Sequence, residues 1–247
     1  MFFTCFLIRA KRKKMSPFQT QFGFSFDATL GHVVPLVGGD VDTRRSILLL
    51  QRGALDVPDA EFELFWNLMD QVPETPNPMN KKYNVIKRQA TFGTNYRFGG
   101  QNSHQLMGDD EEEWPTLVRK MLAIVKASLA PRFAENELAA HVNWYPGGKA
   151  GLAPHDDKEG NFVVDAPIFS FTLNRDAPPR GFQIYLKGPD GKQIDKKPTK
   201  DIKLGDGDLL VMAGKMQTDF LHGVKKTESR AFQNSRRINV TVRVLKL

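Results

Sequence analysis

The sequence contains a single cysteine, Cys5, in 247 residues. A lone thiol excludes a disulfide framework, a cysteine-rich zinc site and an iron–sulfur cluster, and it points to a reducing compartment. Histidine is scarce as well, with five copies, so any metal has to be held by His, Asp and Glu. No apolar run approaches the roughly 18 residues of a membrane span, which reads as a soluble chain with no membrane partner. Acidic residues are absent before Asp27, while Arg9, Lys11, Arg12, Lys13 and Lys14 follow a short apolar start. A secretory signal would place its charges ahead of its apolar core, so this is not a good one. A nuclear-import run through Lys11–Lys14, a mitochondrial presequence and an untidy leader ahead of Met15 remain open. The nucleus is the expected location, with mitochondrion or cytoplasm as alternatives. Residues 1–30 read as a basic tail, targeting or disordered, and residues 31–247 as one domain.

With 40% hydrophobic and 26% charged residues, the chain can bury a core, which excludes wholesale disorder. Its net charge of +7 favours polyanionic partners, nucleic acid or anionic lipid. Two helices are legible. Pro58 opens one, with Phe62, Phe65, Trp66 and Met69 at i, i+3, i+4 and i+7 before Pro73. Pro115 opens the other, with Leu117, Val118, Met121, Leu122, Val125 and Leu129 on one stripe before Pro131. The acidic run Asp109–Glu113 lies just ahead of it, where carboxylates complement a helix N-terminus. From Ala139 the period becomes two, giving strand candidates Ala139–Tyr145, Ile168–Leu173, Phe182–Leu186, Asp208–Met212 and Ile238–Leu245. The lysine-rich stretch Lys187–Lys203 reads as a long, mobile hairpin loop. The fold class is α+β, mainly β: an antiparallel sandwich or barrel with helices packed outside.

The most informative stretch is His155-Asp156-Asp157. On an extended chain, residues i and i+2 face the same way, so His155 and Asp157 can share one metal. An imidazole and a carboxylate suit ferrous iron, and a second histidine completes a facial triad with open positions. His222, just after the apolar run Leu209–Met212, is the candidate. A solvated turn has the same composition, so this stretch needs support from elsewhere. Arg237-Ile-Asn-Val-Thr-Val-Arg243 supplies some. Its alternation puts Arg237, Asn239, Thr241 and Arg243 on one face and Ile238, Val240 and Val242 on the other. Turned inward, that polar face is costly unless an acid binds there. An edge strand with a solvated basic face is the alternative. Upstream, His141, Asn143 and Tyr145 also share one face.

In order, Asn-x-Tyr, His-x-Asp-x-Glu, Gly-Asp-Leu-Leu-Val-Met, a later His and Arg-x-Asn-x-Thr-x-Arg make the sequence resemble the AlkB-type Fe(II)/2-oxoglutarate dioxygenases. The resemblance runs from about Tyr83 to the C-terminus and is strongest to the eukaryotic DNA-repair AlkB homologues. It implies a double-stranded β-helix, or jelly roll, with flanking N-terminal helices. It implies Fe(II) on His155, Asp157 and His222, with 2-oxoglutarate and O2 as cosubstrates. Asn143, Tyr145, Arg237, Asn239, Thr241 and Arg243 would bind or orient 2-oxoglutarate. Six strand residues span about 20 Å, so the two arginines cannot grip one carboxylate. Arg237 is assigned the distal carboxylate and Arg243 the metal end, near the other carboxylate or Asp157. Lys87–Gly93 and Tyr96–Phe98 resemble the family's substrate-contacting segment, with Gln89, Tyr96, Phe98 and Glu159 as the substrate residues; ordinary strand packing is the competing reading for the rings. Trp144 stands where the family often has Arg, but on the opposite face of its strand.

The expected activity is oxidative dealkylation of N-alkylated bases in DNA, with RNA as a further candidate, by a monomer. Two alternatives stay open: the same oxygenase chemistry on RNA, protein or a small molecule, and a non-catalytic nucleic-acid-binding module with a vestigial metal site.

Overall fold

The computed structural model describes residues 31–36, 45–76, 84–85, 87–93, 97–98, 101–102, 104–108, 110–158 and 161–246. The basic tail therefore lies outside the described residues. Two sheets pack face to face. The larger runs from edge to edge through β1 (Gly31–Val33), β2 (Ser46–Gln51), β14 (Asp208–Gly214), β11 (Ile168–Arg175), β16 (Arg236–Val244), β9 (Leu138–Pro146), β5 (Arg88–Phe92) and β8 (His104–Met107). The smaller runs through β10 (Leu152–His155), β15 (Phe220–Val224), β12 (Arg180–Leu186) and β13 (Lys200–Leu204). Two short ladders complete the set, β3 (Thr75–Pro76) with β4 (Asn84–Val85), and β6 (Arg97–Phe98) with β7 (Gln101–Asn102). Within the two main sheets only β5 and β8 pair in parallel. This is the expected jelly roll.

The two helices cover the outer face of the larger sheet. Helix α1 (Asp59–Asp70) and helix α2 (Thr116–Ser128) each begin one residue after their proline. Phe62, Phe65 and Met69 of α1 and Leu117, Val118, Met121, Leu122 and Val125 of α2 are buried. They pack on Val142, Trp144, Phe169, Phe171, Leu209, Val211, Ile238, Val240 and Val242. Trp144 meets Trp66 with ring centroids 4.9 Å apart, so it serves this outer core. The alternate residues of the same strands face the space between the sheets. At one end that space is apolar, filled by Leu48, Leu50, Ile184, Ile202, Leu210 and Phe220. At the other end β9, β11 and β16 turn polar side chains inward, and this is where the site lies.

The lysine-rich stretch departs from expectation. Its last residues form β13, paired with Arg180–Ile184, because Ile202 and Leu204 alternate inward with exposed Asp201 and Lys203. Lys187 also bridges Gln193, so the segment is a structured connection with an exposed turn. Among the described residues no helix is long and apolar enough to cross a membrane.

Candidate metal centre

Register brings the two histidines together. In the antiparallel pair β10–β15, His155 and His222 sit directly opposite each other, with ring centroids 4.4 Å apart. The chain then turns so that Asp157 folds back over them. Its backbone N–H donates to Gln217 Oε1 at 2.9 Å, and the neighbouring Asp156 pairs with Lys187. The His155 Nδ1 faces the Ala153 carbonyl at 2.9 Å. A carbonyl only accepts, so Nδ1 carries the proton and Nε2 keeps its lone pair for a ligand. That Nε2 lies 3.6 Å from Asp157 Oδ1, and His222 Nε2 lies 3.7 Å from Asp157 Oδ2. Ligands at about 2.1 Å from one ion stand no more than about 4 Å apart, so both separations suit a shared ion. All three ligand atoms lie within 4.8 Å of one another.

The electrostatics prepare these groups to bind a cation. Burial lowers the His222 pKa to about 3, helped by His155 and Arg243 and opposed by Asp157, so the imidazole is neutral near pH 7. Burial alone would push the Asp157 carboxyl up. Arg243, His222 and His155 together hold it well below the usual carboxylate range instead. Arg243 Nη2 stands 2.9 Å from Asp157 Oδ2, at the metal end as assigned. Neither carboxylate oxygen accepts a well-aligned hydrogen bond although both are buried. A buried, ionised, under-bonded carboxylate beside the neutral His222 imidazole and the His155 ring fits a divalent metal.

Tyr145, Asn143 and His141 line the cavity from β9, opposite Arg237, Asn239 and Thr241 of β16. The Arg237 guanidinium is 1% exposed and stacks 4.9 Å from the Tyr145 ring centroid. Its Nη2 donates to Thr172 Oγ1 at 3.3 Å, while Nε and Nη1 have no partner. Burial lowers its pKa, and no carboxylate among the described residues pairs with it. A cation in that state fits an anionic ligand. Asn239 already spends both donors, on Ser170 Oγ at 2.9 Å and Phe171 O at 2.7 Å, and accepts from Thr241 at 3.2 Å. Its place is to orient neighbours rather than to donate into the cavity.

The substrate residues are placed differently. Tyr96 and Glu159 lie outside the described residues, as does the side chain of Phe98. Gln89 lies against the neighbouring strand of its own sheet, bonding His141 Nε2 and Asn143 Oδ1, each at 3.0 Å. Three polar residues near the cavity escaped the sequence reading. Lys87 is buried against Asn143. Arg180 is buried too, its Nη2 donating to the carbonyls of Gly148, Ala150 and Lys225. Thr172 alternates, with Ser170, against Phe169, Phe171 and Leu173 along β11, which was the one available signal. A larger cleft of about 390 Å³, walled by Phe162, Ile168, Met216 and Val244, meets the metal cavity at Asp157, Met212 and Arg243.

A model of the 2OG-Fe(II) oxygenase superfamily matches residues 53–243. Solved structures match as well, among them that of OsALKBH1, at 16% identity and a TM-score of 0.49, covering 86% of this chain and 99% of that one. No curated protein matches the chain.

Proposed function

The chain belongs to the 2OG-Fe(II) oxygenase superfamily, and from that premise we propose that it removes alkyl groups oxidatively from the nitrogens of bases in DNA. The dioxygenase chemistry, with Fe(II), 2-oxoglutarate and O2, comes with the family. The observation that carries the reading onto these residues is the buried Arg237 with no counter-anion among the described residues, set beside the His155-Asp157-His222 cluster.

Bound iron, with 2-oxoglutarate and O2, supplies oxidation of a C–H bond, and the cosubstrate leaves as succinate and CO2. If that carbon is a methyl on a base nitrogen, the hydroxymethyl product collapses to formaldehyde and the repaired base. His155, Asp157 and His222 would hold the ion. Arg237 would take the distal carboxylate, with the Tyr145 ring fixing the plane of its guanidinium. Arg243 holds Asp157 ionised and in place. Burial of these groups keeps water from competing for the carboxylate. A base within a duplex cannot reach so enclosed a centre, so it has to be flipped out or already single-stranded.

DNA as substrate rests on the ordered AlkB-type motifs and on the basic surface. Lys225, Lys226, Lys192, Lys196 and Lys197 are exposed and suited to phosphate. Arg236, in the same basic C-terminal segment, is committed to Glu63 and Asp176 at 2.7 and 2.6 Å. Release of succinate from 2-oxoglutarate and of formaldehyde from methylated oligonucleotides, DNA and RNA, single- and double-stranded, tests the proposal. Succinate and formaldehyde release on DNA are expected to rise together. Release confined to RNA, or 2-oxoglutarate turnover that no oligonucleotide stimulates, overturns it.

Affinity should fall with salt by a log–log slope of about −0.9 per phosphate contact on duplex and about −0.7 on single strand. Combined Lys225→Ala and Lys226→Ala should flatten that slope and weaken binding uniformly across sequences. Metal and 2-oxoglutarate affinity should stay as they were. Binding indifferent to salt would mean that these lysines only solvate the surface.

A further inference from the structure

The Asn143 amide has a donor end and an acceptor end, and its neighbours decide which faces the cavity. Its Oδ1 lies 2.8 Å from Lys87 Nζ and 3.0 Å from Gln89 Nε2. Burial lowers the Lys87 pKa to about 7, and both its ammonium and its neutral amine can donate N–H to an amide oxygen, so the amide atom turned to Lys87 is the oxygen. The same Gln89 nitrogen meets His141 Nε2 at 3.0 Å, which makes that ring nitrogen an acceptor and puts the ring proton on Nδ1. There it faces Thr91 Oγ1 at 3.4 Å. Burial holds His141 well below its ordinary pKa, in keeping with this neutral tautomer. Asn143 Nδ2 is left over on the side that lines the metal cavity, and no described residue accepts from it.

Packing does not explain a lysine at position 87. The residue is 4% exposed, and burying an ammonium opposes folding, whereas methionine would fill a similar space without that penalty. We propose that Lys87, Gln89 and His141 are positioning residues for the cosubstrate, holding the Asn143 amide with its N–H groups toward the cavity, where they donate to an oxygen of 2-oxoglutarate. The inference rests on the reading of Asn143 as a cosubstrate residue and deepens it. It also moves Gln89 from the alkylated base to the cosubstrate.

The test is a double-mutant cycle on the full chain loaded with Mn(II), with 2-oxoglutarate affinity read by titration calorimetry. Absence of binding by the unaltered protein would sink the underlying reading rather than this inference. Given binding, Lys87→Met should weaken it about tenfold, the scale of one lost hydrogen bond that orients a donor. Mn(II) affinity should not move. In an Asn143→Leu background the same substitution should have little further effect on 2-oxoglutarate affinity, because the proposed route from Lys87 to the cosubstrate runs through the Asn143 amide. Equal affinity for Lys87→Met and the unaltered protein overturns the proposal, and so does the same loss in both backgrounds. Should Lys87→Met not fold, Gln89→Leu goes through the same cycle with the same expectations.

Discussion

Replacing Arg237 with methionine is expected to abolish tight 2-oxoglutarate binding while raising the stability of the ligand-free protein. The two effects have opposite signs for one reason. The guanidinium is buried with two nitrogens unpartnered and no carboxylate beside it among the described residues. Without its ligand it is a poorly compensated charge, and removing it relieves the fold. With its ligand it forms a charge-assisted pair in a site shielded from water, and truncating one member of such a pair costs about 2–5 kcal/mol. That corresponds to a loss of roughly thirtyfold to several thousandfold in affinity. Mn(II) binding should be nearly unchanged, since Arg237 lies on Tyr145 and Thr172 and not on the His-Asp-His cluster. Calorimetric titration with 2-oxoglutarate and urea unfolding of the ligand-free protein read both signs. Unchanged affinity in a folded variant would refute the assignment of Arg237.

The inner and outer faces of β16 show how much of this was legible in the sequence. Strict alternation over Arg237–Arg243 announced that the arginines and Asn239 share a face, and the structure turns that face inward. One residue earlier the same rule puts Arg236 outside, where it pairs with acids. β2 was missed because Ser-Ile-Leu-Leu-Leu-Gln is buried on both faces, helix side and interior, so it has no alternation to detect. β13 does alternate, but inside a lysine-rich stretch that reads as loop. The His155-x-Asp157 spacing identified two candidate ligands from one short segment. The register that sets His222 opposite His155 is a property of the sheet, invisible in one strand. Buried cations were the hardest to see. Lys87 and Arg180 look like surface residues because their types mostly are, and only the packed structure shows what they hold.

Asp157→Asn should show the largest combined effect, because one carboxylate serves both the metal and the fold. Its side chain is 1% exposed and that of its partner Arg243 4%. Burial alone would favour the neutral acid, yet Arg243 and the two histidines hold the folded pKa well below its ordinary value. A depressed carboxyl pKa stabilises the folded state above the unfolded value of about 3.9, and that stability is lost as pH falls through the folded value. At pH 7 the contribution is therefore fully present. Asparagine keeps the volume and removes the charge, so it strips Arg243 of this counter-charge. Breaking a buried pair in this way typically costs about 3–5 kcal/mol. It also takes away the only anionic member of the triad, so Mn(II) affinity should fall by orders of magnitude. Unfolding by urea in the presence of a chelator separates the two effects. The stability gap between the unaltered protein and Asp157→Asn should be wide at pH 7 and should narrow as pH falls below about 4. Adding Arg243→Met to Asp157→Asn should recover much of the lost stability and none of the metal binding. A single variant as stable as the unaltered protein at pH 7 would show that the Asp157–Arg243 pair contributes nothing to the fold, leaving the carboxylate to the metal alone.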